Sequence, residues 1–284
     1  MTRRILVALD PDSDTPAATQ TAIDIARRYD AEVTGLAFVD REAIQRDTAG
    51  GGIGSMYFAE KLRNELAEET KQKAVALAQS FADQVEAAGV RHTTDAIREE
   101  GLVQSILDEM RTHDLLIAGR ESHFYYANPT QRTHTLAKVL EQSAAATLIV
   151  GTETANVGRV AVAYDGSAAA ARTLQKFAHL APFGTDLDVE VVHVHGGSDE
   201  DRRASSQLLE GAATYLGAYG FDRVETTGVE SGDPAGVILG YATGERADLV
   251  VSGAYAKTGL RRLVFGSSAT RLLDEARVPL FLYH

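Results

Sequence analysis

With 284 residues the chain is long enough for two domains of ordinary size, and a 44% apolar fraction supports packed cores rather than disorder. A net charge of −12 excludes nucleic acid and anionic membrane surfaces as general partners. The absence of cysteine excludes a disulfide framework, a thiolate metal site and a cysteine nucleophile, and fits a cytoplasmic protein.

Arg3 and Arg4 precede an apolar run too brief for a signal peptide, and no stretch approaches membrane-spanning length. Ile5–Leu9 therefore reads as a first core strand, ending at Asp10. Ala49–Ser55 is glycine-rich, but it follows no strand directly and lacks the Gly-Lys-Ser/Thr ending of a phosphate loop; it reads as a mobile loop. Phe58, Leu62, Leu66, Ala74, Ala78, Phe81 and Val85 form one helical stripe. Glu65, Glu68 and Glu69 alternate with Lys61, Lys71 and Lys73 on an exposed face. Gly89 sits where that helix should stop. Asp114–Gly119 and Ala146–Val150 read as further strands, and a polar link, Gly151–Gly158, follows.

Beyond the link the order of elements repeats. Arg159–Asp165 matches Arg4–Asp10, Asp248–Gly253 matches Asp114–Gly119, and Pro279–Tyr283 matches Ala146–Val150. Leu208, Ala212, Tyr215 and Tyr219 form the counterpart stripe, and Gly220 the counterpart stop. The offset is 155 at the aspartates (165 − 10) and 134 at the glycines (253 − 119), so the first half is longer by 21 residues between those points. Much of that excess lies in Asp40–Tyr57.

Each half alternates helices with strands apolar enough to be covered on both faces. The expected fold is α/β: two repeated doubly wound domains, residues 1–152 and 157–284, each a five-stranded parallel sheet of order 3-2-1-4-5 with helices on both faces. In that order the fifth strand is an edge. Both fifth strands are apolar, and open apolar edges invite pairing, so the halves are expected to form an intramolecular pseudo-dimer. Helices or a second chain, giving a homodimer, are the other ways of covering them.

Ligands of such sheets bind beyond the carboxyl ends of the strands, where strand order reverses. That position brings Asp165, Gly253 and Gly266-Ser267 around one crevice in the second half. Gly253 ends a strand, and Gly266-Ser267-Ser268 opens a helix. Glycine lets backbone approach an oxygen closely, and free N–H groups at a helix start favour an anion.

The spacing Gly253-x2-Ala256-x9-Gly266-Ser267, with Asp165-Gly166-Ser167 and the two-fold repeat, resembles the universal stress protein family, whose loop reads Gly-x2-Gly-x9-Gly-Ser/Thr. The resemblance covers nearly the whole chain, as a tandem member. It implies ATP or AMP in the second domain, with Mg²⁺ accompanying ATP. By that resemblance Asp165 would contact the adenosine end, and the backbone of His193, Val194 and His195 the adenine edge. Gly253, Ala256, Gly266, Ser267 and Ser268 would hold the phosphates. Lys257, Arg261 and Arg262 could offset the phosphate charge.

Ala256 departs from the family's second glycine. At positive φ alanine would cost on the order of 1 kcal/mol; at negative φ the change is mild. In the first half the same spacing after Gly119 gives Ser122, Arg132 and Thr133. Arg132 stands where close backbone approach needs glycine, and Pro129 has no N–H to donate. The first site therefore reads as degenerate, although Asp10 remains.

Plainer roles exist for the same residues. Asp165-Gly166-Ser167 makes a turn, Ser267 and Ser268 suit helix caps, and Lys257, Arg261 and Arg262 suit a solvated face. His193 and His195 project to one face of a strand, but no third ligand lies near them in sequence; a buried, hydrogen-bonded pair is expected. Three functions compete. One is a nucleotide-binding stress-response regulator with little or no turnover, acting on an unidentified protein partner. Another is a nucleotide-independent interaction module, favoured by Ala256 and Arg132. The third is a nucleotide-handling enzyme. For that one, no Ser-Gly-Gly-x-Asp-Ser loop is present, no His-x-Gly-His follows a first strand, and only slow ATP hydrolysis at Asp165 is left.

Overall fold

A computed structural model of the chain describes residues 1–11, 13–39, 44, 56–98, 101–120, 122, 135–243, 246–258, 262–265 and 267–284. At 56–58, 94–98, 255–258, 262–265 and 267–269 the description is of the backbone. The glycine-rich Ala49–Ser55 lies outside these residues.

The first half runs β1 (Arg4–Ala8), α1 (Thr15–Tyr29), β2 (Glu32–Phe38), α2 (Met56–Ala87), β3 (His92–Arg98), α3 (Leu102–Met110), β4 (Leu115–Gly119), α4 (Thr135–Gln142) and β5 (Ala146–Val150). The second runs β6 (Arg159–Ala163), α5 (Ala168–Leu180), β7 (Asp188–His195), α6 (Asp199–Ala218), β8 (Arg223–Glu230), α7 (Pro234–Thr243) and β9 (Leu249–Gly253). A hairpin, β10 (Tyr255–Thr258) with β11 (Arg262–Phe265), then precedes α8 (Ser267–Glu275) and β12 (Leu280–Tyr283).

One ten-stranded sheet carries both halves, in the order β3-β2-β1-β4-β5-β12-β9-β6-β7-β8. Each half shows the 3-2-1-4-5 order. Neighbours are parallel except at the centre, where β5 and β12 run antiparallel with Phe281 opposite Leu148. The two apolar fifth strands thus cover each other's edges. Apolar layers lie on both faces, and each is continuous across the halves. Phe177 of α5 packs on Phe221 and on Phe281, with ring centroids 5.6 and 5.5 Å away, which ties α5 to the seam.

One structural device appears twice. Asp114 Oδ2 accepts the N–H groups of Arg3 and Arg4 at 2.8 and 3.0 Å. Asp248 Oδ2 accepts those of Gly158 and Arg159 at 3.1 and 2.8 Å. Each aspartate holds the start of its first strand against the start of its fourth.

Contacts between the halves also gather at the carboxyl end of α5. Tyr29 Oη donates to the Ala181 carbonyl at 2.5 Å, and Thr2 Oγ1 to that of Leu180 at 3.3 Å. These are carbonyls that a helix end leaves without internal partners.

The helix stops fall where expected, with Gly89 and Gly220 at φ +69° and +85°. The stripes are only partly as expected. Ala74, Phe81 and Val85 are buried, but Leu62 is 48% exposed; the side chain of Phe58 is outside the description. The reason is length. The 32 residues of α2 span about 48 Å, while seven-residue β2 spans about 23 Å, so one end of α2 overhangs the sheet. On α6 the buried line is Ser205, Leu209, Ala212 and Leu216, one position away from Leu208, Tyr215 and Tyr219. The two tyrosines sit at the margin, where both hydroxyls reach His179 Nε2, Tyr219 at 2.8 Å and Tyr215 at 3.1 Å.

Candidate functional site

The crevice lies where strand order reverses, between the upper ends of β6 and β9. The chain leaves β6 through Tyr164, whose N–H donates to the Val192 carbonyl at 2.9 Å. Gly166 then takes φ +73°, and a Cβ there would lie 2.7 Å from Leu208 Cδ1, so this turn needs glycine. Asp165 Oδ1 accepts the Ser167 N–H at 2.9 Å, and Ser167 Oγ caps α5 by accepting the Ala170 N–H at 3.1 Å. Asp165 is exposed, and among the described residues its Oδ2 has no bonded partner.

Gly253 is the last residue of β9. Continuing the Val162–Val251 register brings it level with Tyr164. A Cβ at Gly253 would meet Ala170 N at 3.3 Å and Ala169 C at 3.4 Å. A side chain there would therefore press first on the opening turn of α5. Thr173 Oγ1 ties the same turn to β12, donating to the Ala169 and Tyr283 carbonyls at 2.8 and 2.9 Å.

After Gly253 the chain forms the β10–β11 hairpin, which the spacing did not announce. Ala256 stands opposite Val264 and Lys257 opposite Leu263. A paired strand is extended backbone that any L-residue adopts, so of the two cases for Ala256 the mild one holds. Arg262 begins β11, Ser267 and Ser268 open α8, and Arg261 and Gly266 lie outside the described residues.

At the top of β7, Val194 stands opposite Val229 and is half-buried. His193 Nδ1 shares a hydrogen bond with Ser205 Oγ at 2.8 Å, and His195 Nδ1 one with the Gly196 carbonyl at 2.5 Å. The rings lie 6.1 Å apart and are partly exposed, so the pair is hydrogen-bonded but not buried as expected. Desolvation lowers the His193 pKa and His195 adds to this, while Asp165 opposes both. Burial, followed by the Asp165 charge, raises the pKa of Tyr164. Among the described residues no group of three or more His, Asp or Glu could hold a metal ion.

The corresponding point of the first half is built differently. Asp10 is 2% exposed, and its N–H donates to Thr15 Oγ1 at 3.0 Å. Arg120 follows Gly119, where the second half has Ala254, and its Nη2 donates to the Val278 carbonyl at 2.6 Å. Ser122 is buried, while Pro129, Arg132 and Thr133 lie outside the described residues.

The profile described as "Universal stress protein family" matches residues 1–151 and again 156–284. The chain belongs to the universal stress protein family. It is 23% identical to Universal stress protein Slr1230 of Synechocystis over 251 residues, covering 86% of this chain and 85% of that one. A universal stress protein from Archaeoglobus fulgidus matches in fold with a TM-score of 0.68 at 20% identity, over 99% of this chain and 98% of its own. A functionally unknown protein from Pseudomonas aeruginosa matches with a TM-score of 0.60 at 21% identity, over 99% of this chain and 92% of its own.

Within this tandem universal stress protein, three positioning features were not singled out from sequence. Asp114 and Asp248 recur at matching places in the repeat, which was a usable signal. Arg120 breaks the repeat opposite Ala254, which was also a signal. Thr173 left none, because a helical threonine bonding across to a strand end has no sequence pattern.

Proposed function

We propose that the second half binds ATP or AMP and that this stress-response protein acts as a nucleotide-dependent regulator with little or no turnover. The observation that carries the reading is the exposed Asp165 carboxylate, held in a glycine-dependent turn at the start of α5 and one strand away from Gly253. With Oδ1 engaged by Ser167, Oδ2 can accept from ribose hydroxyls, so this acceptor fits a nucleoside. Gly166 and Ser167 fix that carboxylate. Val194 and His195 border the adenine edge. Gly253, Ala256, Gly266, Ser267 and Ser268 take the phosphates at the start of α8, with Lys257 near them and Mg²⁺ accompanying ATP. Binding rather than turnover is the expected activity, because none of these residues acts as a nucleophile or general base in this reading. Mass spectrometry of small molecules released from the purified protein tests this. AMP or ATP at close to one per chain is expected.

A second reading has one observation behind it. The β10–β11 hairpin spends part of the backbone of the phosphate segment on its own pairing. If nothing is retained and Mg-ATP gives no heat on titration, the chain is a nucleotide-independent interaction module.

A further inference from the structure

The strand β8 ends the ten-stranded sheet, so β7 satisfies only one of its edges. The Ser231 N–H donates to the His195 carbonyl at 3.2 Å, which sets the phase of that parallel ladder. Glu225, Thr227 and Val229 turn their backbone groups toward β7; Val224, Thr226 and Gly228 turn theirs outward. The side chains of Val224 and Thr226 also face a groove of about 520 Å³ between β8 and α6, with Gly228 in its floor. Its other wall is mostly small, with Ser206, Ala213 and Thr214.

The charges along this edge are unequal. Arg202 is the cation of the groove, and it is bound by Asp199 at 2.9 Å and Glu230 at 3.0 Å. Arg223, at the start of β8, is held by Asp186 and Asp188 at 2.6 and 2.5 Å. Glu210 in the groove and exposed Glu225 on the strand have no ion pair among the described residues. The edge therefore presents open backbone donors and acceptors under a negative field, on a chain of net charge −12.

We propose that β8 accepts an extended, basic segment of a partner protein as an added strand. The segment's backbone pairs with Val224, Thr226 and Gly228. Its small or aliphatic side chains lie under α6, where Glu210 borders the groove, and lysine or arginine at the alternate positions meets Glu225 on the opposite face. A second copy of this chain fits less well, because its own β8 brings Glu225 and Glu230 against like charge.

Fluorescence anisotropy with a labelled, end-blocked octapeptide of alternating lysine and valine tests the proposal. Saturable binding is expected. The same peptide N-methylated at alternate residues keeps its charge but loses a row of donors, and should bind about tenfold more weakly or worse. On the protein side, Thr226→Pro removes one outward N–H and spares the β7 ladder, with a loss of about the same size expected. Replacing Glu210 and Glu225 together with Gln should flatten the salt dependence. Equal binding of the methylated and plain peptides would mean diffuse charge attraction and would overturn the proposal. So would no binding at low salt, or a dimer in sedimentation that Thr226→Pro abolishes.

Discussion

The two halves share a fold and a sheet, yet they treat the same point of it differently. In the second half Asp165 is exposed, turned by Gly166 and set beside the close approach of Gly253 to α5. In the first half Asp10 is buried, and Arg120 reaches across to the Val278 carbonyl. One half keeps an accessible carboxylate at the switch point; the other has turned its aspartate inward and spent an arginine on the interface. Conserving the scaffold of a repeat does not conserve its site. The scaffold depends on apolar runs and on Asp114 or Asp248, whereas the site depends on a few small or exposed residues.

The largest expected effect tests whether the halves are one folding unit. Phe281 is fully buried at the seam, opposite Leu148 and against Phe177. Phe281→Ala should cost about 3–5 kcal/mol. Because the sheet is shared, denaturation followed by circular dichroism should still show a single transition. Two separated transitions would make the halves independent.

The matched aspartates come next. Removing Asp114 or Asp248 leaves two strand N–H groups without their acceptor, for about 1–3 kcal/mol in either half. Asp248 should cost more, since Arg159 also bonds it, at 2.8 Å. Burial alone would raise the Asp248 pKa, but the side chain of Arg159 and the N–H groups of Arg159 and Gly158 outweigh it and lower it. Its stabilisation is therefore present above the ordinary carboxylate range and lost as pH falls through the depressed value. Urea titrations of Asp248→Asn and the parent, repeated down an acid series, should converge.

A smaller effect belongs to the contact between halves. Tyr29→Phe removes the bond to the Ala181 carbonyl and should cost about 1 kcal/mol, read from the urea midpoint. The smallest distinguishes the halves by pH. Buried His113 shares hydrogen bonds with the Glu109 carbonyl at 2.6 Å and Thr34 Oγ1 at 3.0 Å, and the matching second-half residue is Ala247. Burial lowers the His113 pKa below the ordinary value of 6.5. Its contribution is complete above that ordinary value and declines as pH falls below it, because the unfolded chain then binds the extra proton. His113→Ala, which copies the second half, should remove that slope from stability measured by urea.

The fold was legible because strands buried on both faces read as apolar runs, and the repeat fixed their order. Ala146–Val150 and Gly89 fell where composition put them. The turn at Asp165 and the cap at Ser167 were legible for the same local reason. What was not legible depended on distant partners. The exposure of Leu62 follows from α2 being longer than the strands it lies along, and the margin position of Tyr219 follows from His179. Gly253 spaces β9 from α5, a requirement that a phosphate motif conceals. The β10–β11 hairpin arose in a stretch whose glycines suggested an open loop.

Calorimetric titration with Mg-ATP tests the central claim most directly, on the parent, Asp165→Ala and Asp10→Ala. One site per chain is expected. Asp165→Ala should weaken it by about tenfold to a hundredfold, as loss of a charged acceptor does. Asp10→Ala should change stability but not stoichiometry or affinity. Two equal sites per chain, or a single site that survives in Asp165→Ala and disappears in Asp10→Ala, would contradict the assignment of the nucleotide to the second half.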